Sequence, residues 1–148
     1  MCPAYAAGRP VSRNSEAEII DVLESAMVHP THADGFVDKD DPVYAYLDEV
    51  GPEAAIVGVA RRNAAAATDH VGVERNAVYD LTVDSADGTG DTDIAIGDPL
   101  YLTTAAIIDQ NPSGVYFGRA LAAKTGSATP SVIPVEVVLA NVQPTGKN

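Results

Sequence analysis

The chain has 148 residues, no tryptophan, two phenylalanines and one cysteine. With aromatic bulk so scarce, the core has to be assembled from Ala, Val, Ile, Leu and the six tyrosines, and a hydrophobic content of 46% is enough to do so. A lone Cys2 excludes an internal disulfide and any multi-cysteine metal site, and no neighbouring base marks it as a nucleophile. Basic residues are also few: nine Lys and Arg against 21 Asp and Glu give a formal net charge of −12. A phosphate-binding surface needs clustered cations to displace counterions, and the one adjacent pair is Arg61-Arg62, so nucleic acid is not expected as a direct partner. No apolar run approaches the roughly 18 residues of a membrane span, so no membrane partner is expected either. Met1 to Pro10 lacks the basic start and continuous apolar segment of a signal peptide, and folding in a cytosol is the expectation.

Against these absences stands a recurrence. Asp41-Pro42-Val43-Tyr44 returns as Asp98-Pro99-Leu100-Tyr101, and Ile56-Val57-Gly58-Val59-Ala60 returns as Tyr116-Phe117-Gly118-Arg119-Ala120. Each copy passes through an Ala-rich stretch and ends in Val71-Gly72-Val73-Glu74 or in Val132-Ile133-Pro134-Val135-Glu136. The offset drifts from 57 at Asp41/Asp98 to 60 at Gly58/Gly118 and 62 at Glu74/Glu136, as small loop insertions would produce. The order of these matches predicts a duplicated strand unit, about 36–83 and 94–142, within one domain over 15–142. A duplicated shape suits a scaffold or binder better than a single catalytic cleft.

The rest of the chain reads as punctuation around strands. Residues 1–14 carry Pro3, Gly8, Pro10 and Asn14 without apolar periodicity, and predict an extended arm. Tyr5 and Val11 are its candidate anchors, and Arg9 and Arg13 its candidate partners for carboxylates on a neighbouring subunit. Ser15 and Glu18 form a capping-box pattern, and Ile19, Ile20, Leu23, Ala26 and Met27 recur at helical spacing, which predicts a helix over 15–28 ended by Pro30. From Phe36 the pattern is β: strands near Val43–Leu47, Ile56–Ala60 and Leu100–Leu102, a period-2 stripe from Val71 to Val83, then Val115–Phe117 and Val132–Val142. Residues 143–148 read as a tail. Many short strands between Gly, Pro and Asp turns predict a mainly β fold, a sandwich or small barrel.

Few residues suggest chemistry. Asp84, Asp87, Asp91 and Asp93 flank Gly88 and Gly90 in one oxygen-rich loop, but the spacing matches no calcium loop, and a solvated hairpin explains Asp and Gly equally well. His29 and His32 are spaced like metal ligands, with Asp34 and Asp38 as the next candidates, yet Pro30 would break the helix needed to align them, so no metal site is expected. His70 is expected to be exposed. Asp38-Lys39-Asp40-Asp41 and Asp48-Glu49 read as a solvated rim. No G-x-S-x-G, phosphate loop or H-E-x-x-H is present; the chain is expected to be no enzyme and to need no cofactor.

At the repeated segments the chain resembles the head decoration, or capsid cement, proteins of tailed bacteriophages. The resemblance rests on Ile96-Gly97-Asp98-Pro99-Leu100-Tyr101-Leu102, on Gly118-Arg119-Ala120-Leu121-Ala122 and on the final strand Val135-Glu136-Val137-Val138-Leu139, and it covers about 36–142. It implies a compact β-barrel or β-tulip-like fold, homotrimers on the outer capsid surface of the virion, the major capsid protein as partner, bridging of capsomers, and no catalytic residues. Such a protein is made in the host cytoplasm. The competing reading is a tail- or fibre-associated glycan-binding module, calcium-dependent through Asp84 to Asp93, although exposed aromatics suited to sugars are few.

Overall fold

The computed structural model describes residues 10–46 and 55–137. Its organising element is the strand His70–Val83, whose odd positions from Val71 to Val83 are all buried, Arg75 included. In chain order the strands are β1 Pro10–Leu23, β2 Met27–Val28, β3 Pro42–Tyr46, β4 Ala55–Ala60, β5 His70–Val83, β6 Pro99–Leu102, β7 Ile108–Asp109, β8 Val115–Ala120 and β9 Ser131–Val137. The first half of β5 pairs with β1, as in Ile20↔Val73 and Val22↔Val71, and with β4, as in Val59↔Glu74. Its second half pairs antiparallel with β9, from Val78↔Glu136 to Val83↔Ser131. At Val83 it also meets β7 in parallel, opposite Ile108. β7 pairs with β6, β6 with β8 and β8 with β9, so the strands β5, β7, β6, β8 and β9 close a five-stranded barrel. Closure leaves these strands no free edge on which another chain could template.

The barrel is filled by residues such as Tyr79, Leu81, Leu100, Leu102, Phe117 and Val135, all almost completely buried. A side chain of this kind contributes about 1.5–3 kcal/mol when removed from water. β3 and β4 send Tyr44, Val57 and Val59 into this cluster. Their other face, with Val43, Ala45 and Ala60, packs into a second cluster with Val37, Val71 and Val73. Burial on both faces explains why Val43-Tyr44-Ala45 and Ile56 to Ala60 are continuously apolar instead of alternating.

Two sets of three strands, β3–β4–β5 and β6–β8–β9, share a register. Pro42↔Val59 and Val43↔Gly58 correspond to Pro99↔Arg119 and Leu100↔Gly118. Val59↔Glu74 and Ala60↔Val73 correspond to Arg119↔Glu136 and Ala120↔Val135. The turns before β3 and β6 also match. Asp41 accepts at its carboxylate from the Asp38 amide (2.9 Å), and Asp98 accepts from the Ala95 amide (2.8 Å). The Asp40 and Gly97 amides each donate to an alanine carbonyl, Ala60 or Ala120, at 2.8 Å. Both of these turn residues have positive φ, 77° and 93°.

The helix expected over 15–28 is not formed. Those residues belong to β1, a 3₁₀ turn at Glu24–Ala26 and β2. The flank of β5 supplies a ladder of backbone partners that outweighs local helix propensity. Exposure alternates in strand fashion, with Ile19 61% exposed and Val22 buried, whereas a helix would have turned Ile19 inward. β2 and β7, only two residues each, carry too little pattern to be read from sequence. Among the described residues no helix is long and apolar enough to cross a membrane.

Candidate functional site

Between β2 and β3 the chain makes an excursion through residues 29–41 without regular structure. Its shape follows from local bonds. The Gly35 amide donates to the His32 carbonyl (3.1 Å), the Phe36 amide donates to the Asp34 carboxylate (3.1 Å), and Gly35 takes φ 81°. Val37, fully buried, anchors the returning limb and accepts from the Ala64 amide (2.9 Å). This turn and the Asp38–Asp41 turn bring His29, His32 and Asp41 together. Their ligating atoms lie within 4.8 Å of one another. The two imidazoles are stacked, with centroids 6.2 Å apart and planes 6° apart.

Every ring nitrogen of the pair faces oxygen. His29 Nδ1 lies 2.7 Å from the Pro30 carbonyl and Nε2 3.0 Å from Oε1 of buried Glu24. His32 Nε2 lies 2.6 Å from Asp41 Oδ2, and Nδ1 3.4 Å from Asp38 Oδ2. The hydrogen bond to Asp41 raises the pKa of His32 above its ordinary value; burial opposes this, and the charges of Asp41, Asp38 and Asp34 add to it. In the sequence Asp41 opens the recurring Asp-Pro segment and belongs to a charged rim. It is half-buried, and neither pattern signals that the turn aims it at His32.

On the other side of the turn, Arg61 donates to Asp40 Oδ1 (3.1 Å) and lies 3.2 Å from Glu74 Oε2, with its guanidinium 5.5 Å from the Tyr79 ring centroid. The Tyr79 hydroxyl in turn donates to Glu74. Half of the only basic pair is thus spent on tying the Asp-Pro turn to β5. A cleft of about 320 Å³ opens beside this turn, lined by Pro30, Asp41 and Pro42 on one side and by Leu81, Ile107 and Ile108 on the other.

The Asp-Gly loop is a hairpin closed by an Ala86↔Asp91 bridge. Asp87 Oδ1 accepts from the Thr89 amide (2.7 Å), the Thr89 hydroxyl (2.8 Å) and the Gly90 amide (2.9 Å), which hold its pKa below the usual carboxylate value. Asp84 accepts from the Ser85 amide and Asp93 from the Gly126 amide, both at 2.6 Å. Asp84 and Asp87 thus serve the loop's own backbone, and Asp93 ties the loop to the segment at Gly126. Nearby Asp109 is 5% exposed, and burial pushes its pKa up to about 6; the Asn111 amide opposes the rise and the charge of Asp84 adds to it. His70 is exposed, as expected.

The four arm residues fall differently. Tyr5 and Arg9 lie outside the described residues. Val11 and Arg13 lie in β1, where the Arg13 backbone stands opposite Ala77. The 143–148 tail and Asp48-Glu49 also lie outside the described residues.

No curated protein and no solved structure matches the chain. The phage cement protein family matches residues 23–137, which span β2 to β9 and the whole closed barrel. With well over half of its length matched, the chain belongs to the phage cement protein family.

Proposed function

We propose that this protein is a structural component of the phage virion that binds the outer face of the icosahedral capsid as a homotrimer and stabilises the shell by bridging capsomers. The observation that carries the reading is the family match across the entire barrel. A subunit held by two capsomers must detach or tear before they separate, and three copies joined together multiply weak contacts through effective concentration. The net charge of −12 suits the outer face better than one facing packaged nucleic acid. The major capsid protein is the partner, with Tyr5, Arg9, Val11 and Arg13 as proposed contacts. The domain is proposed to be a duplicated strand unit. This is supported by the shared registers of β3–β4–β5 and β6–β8–β9, and by Gly58 and Gly118, which face the carbonyl oxygens of Glu74 and Glu136. The test is to add purified protein to expanded capsids lacking it. Saturable decoration at threefold positions, with a higher rupture temperature, is expected; capsids that stay bare, or single copies away from threefold positions, would overturn the reading.

A further inference from the structure

We propose that His29, His32 and Asp41 form a binding site for one divalent transition-metal ion of the zinc class, which pins the 29–41 excursion to the start of β3. Two imidazoles and a carboxylate make a borderline donor set that suits Zn²⁺ or Co²⁺ better than Ca²⁺ or Mg²⁺, which require oxygen cages. Three protein ligands leave a fourth position for water. The ligating atoms already lie within 4.8 Å of one another. His32 Nε2 and Asp41 Oδ2 are 2.6 Å apart. Two zinc ligands at about 2.0–2.1 Å in tetrahedral geometry stand about 3.3 Å apart, so a small rotation of the carboxylate replaces this hydrogen bond by two metal bonds.

The surroundings match what a metal-ligating histidine requires. Asp38, 3.4 Å from His32 Nδ1, is placed to hold the ring nitrogen that does not ligate. Glu24 and the Pro30 carbonyl stand at the two nitrogens of His29, so whichever one ligates, the other keeps an oxygen partner. The side chains of His29, His32 and Asp41 are 13%, 26% and 13% exposed, sheltered from bulk water yet reachable by an ion.

The matching turn before β6 is an internal control. Asp98 accepts the Ala95 amide there as Asp41 accepts the Asp38 amide, and that turn forms with Ala95 in the place of Asp38 and with no histidine among residues 71–148. The turn architecture therefore does not require the histidine pair or Asp38, and their convergence on Asp41 calls for a separate reason.

The test uses the full chain with Cys2→Ser, so that the thiol cannot bind metal. After chelation, zinc is titrated by calorimetry and by thermal melting, with Co²⁺ as a spectroscopic probe and Ca²⁺ and Mg²⁺ as comparisons. Expected are one zinc per chain, a melting temperature that rises with zinc but not with Ca²⁺ or Mg²⁺, and the intense visible bands of four-coordinate Co²⁺. His29→Ala and His32→Ala abolish saturable binding, Asp38→Asn weakens it roughly 10–100-fold, and His70→Ala leaves it unchanged. Should a histidine variant fail to fold, protection of His29 and His32 from carbethoxylation by zinc, read by mass spectrometry in the otherwise unaltered chain, decides the matter. Absence of saturable zinc binding, binding that survives loss of both histidines, or equal modification with and without zinc would overturn the proposal.

Discussion

Replacing Gly118 by alanine tests the packing of β8 against β9. A Cβ built on Gly118 would lie 2.0 Å from the Glu136 carbonyl oxygen, 3.0 Å from its carbon and 3.3 Å from Val137 Cα. All three atoms are backbone, so no side chain can swing aside; the strands must separate where Gly118 pairs with Val137. Forcing a methyl group into such a contact costs about 1–3 kcal/mol, or more when ladder bonds stretch as well. A chain of this size loses about 2–4 °C of melting temperature per kcal/mol, so Gly118→Ala is expected to melt roughly 2–12 °C lower. Gly90→Ala is the control. Nothing lies within 4 Å of a Cβ there, and a surface change of that kind stays within about 0.5 kcal/mol. Melting followed by circular dichroism reads both variants in parallel. If Gly118→Ala melted within a degree of the unaltered protein, the close approach of β8 and β9, and the reason given for glycine at that position, would be wrong.

Two further outcomes follow from single groups. Asp109 has a folded pKa of about 6 against an ordinary 3.8, so it binds its proton more tightly when folded. The stability it contributes is complete below about pH 4 and is lost as pH rises through about 6. Asp109→Asn keeps an acceptor for the Asn111 amide (2.9 Å) but cannot ionise. It should match the unaltered protein near pH 4 and exceed it at pH 7.5 by on the order of 2 kcal/mol; equal pH profiles in urea melts would contradict this. Deleting residues 2–9, which spares β1, should leave melting unchanged and weaken capsid attachment. Unchanged affinity in a capsid co-sedimentation assay would show that Tyr5 and Arg9 do not contribute.

What could be read from the sequence was what repeats or alternates. The stripe from Val71 to Val83 is β5, and the Asp-Pro and Gly recurrences point to strand pairs that share a register. The helix expected over 15–28 is mostly strand because Ile19, Ile20 and Leu23 satisfy a 3.6-residue period as well as part of a two-residue one, and only the backbone partners that β5 offers decide between them. The site was half legible. His29-x-x-His32 was visible, but its rejection assumed a helix that Pro30 would break. The structure uses Pro30 within an irregular excursion that turns at His32–Gly35, and Asp41 arrives from a turn nine residues beyond His32. Side chains gathered by loops leave no periodic trace in the chain.

The proposed attachment to the outside of the capsid is open to direct test by a cryo-electron-microscopy reconstruction of capsids with and without the protein. Additional density is expected on the outer surface, spanning adjacent capsomers around threefold positions, into which the five-stranded barrel fits. Density on the inner face, or on one capsomer without reaching its neighbour, would contradict it.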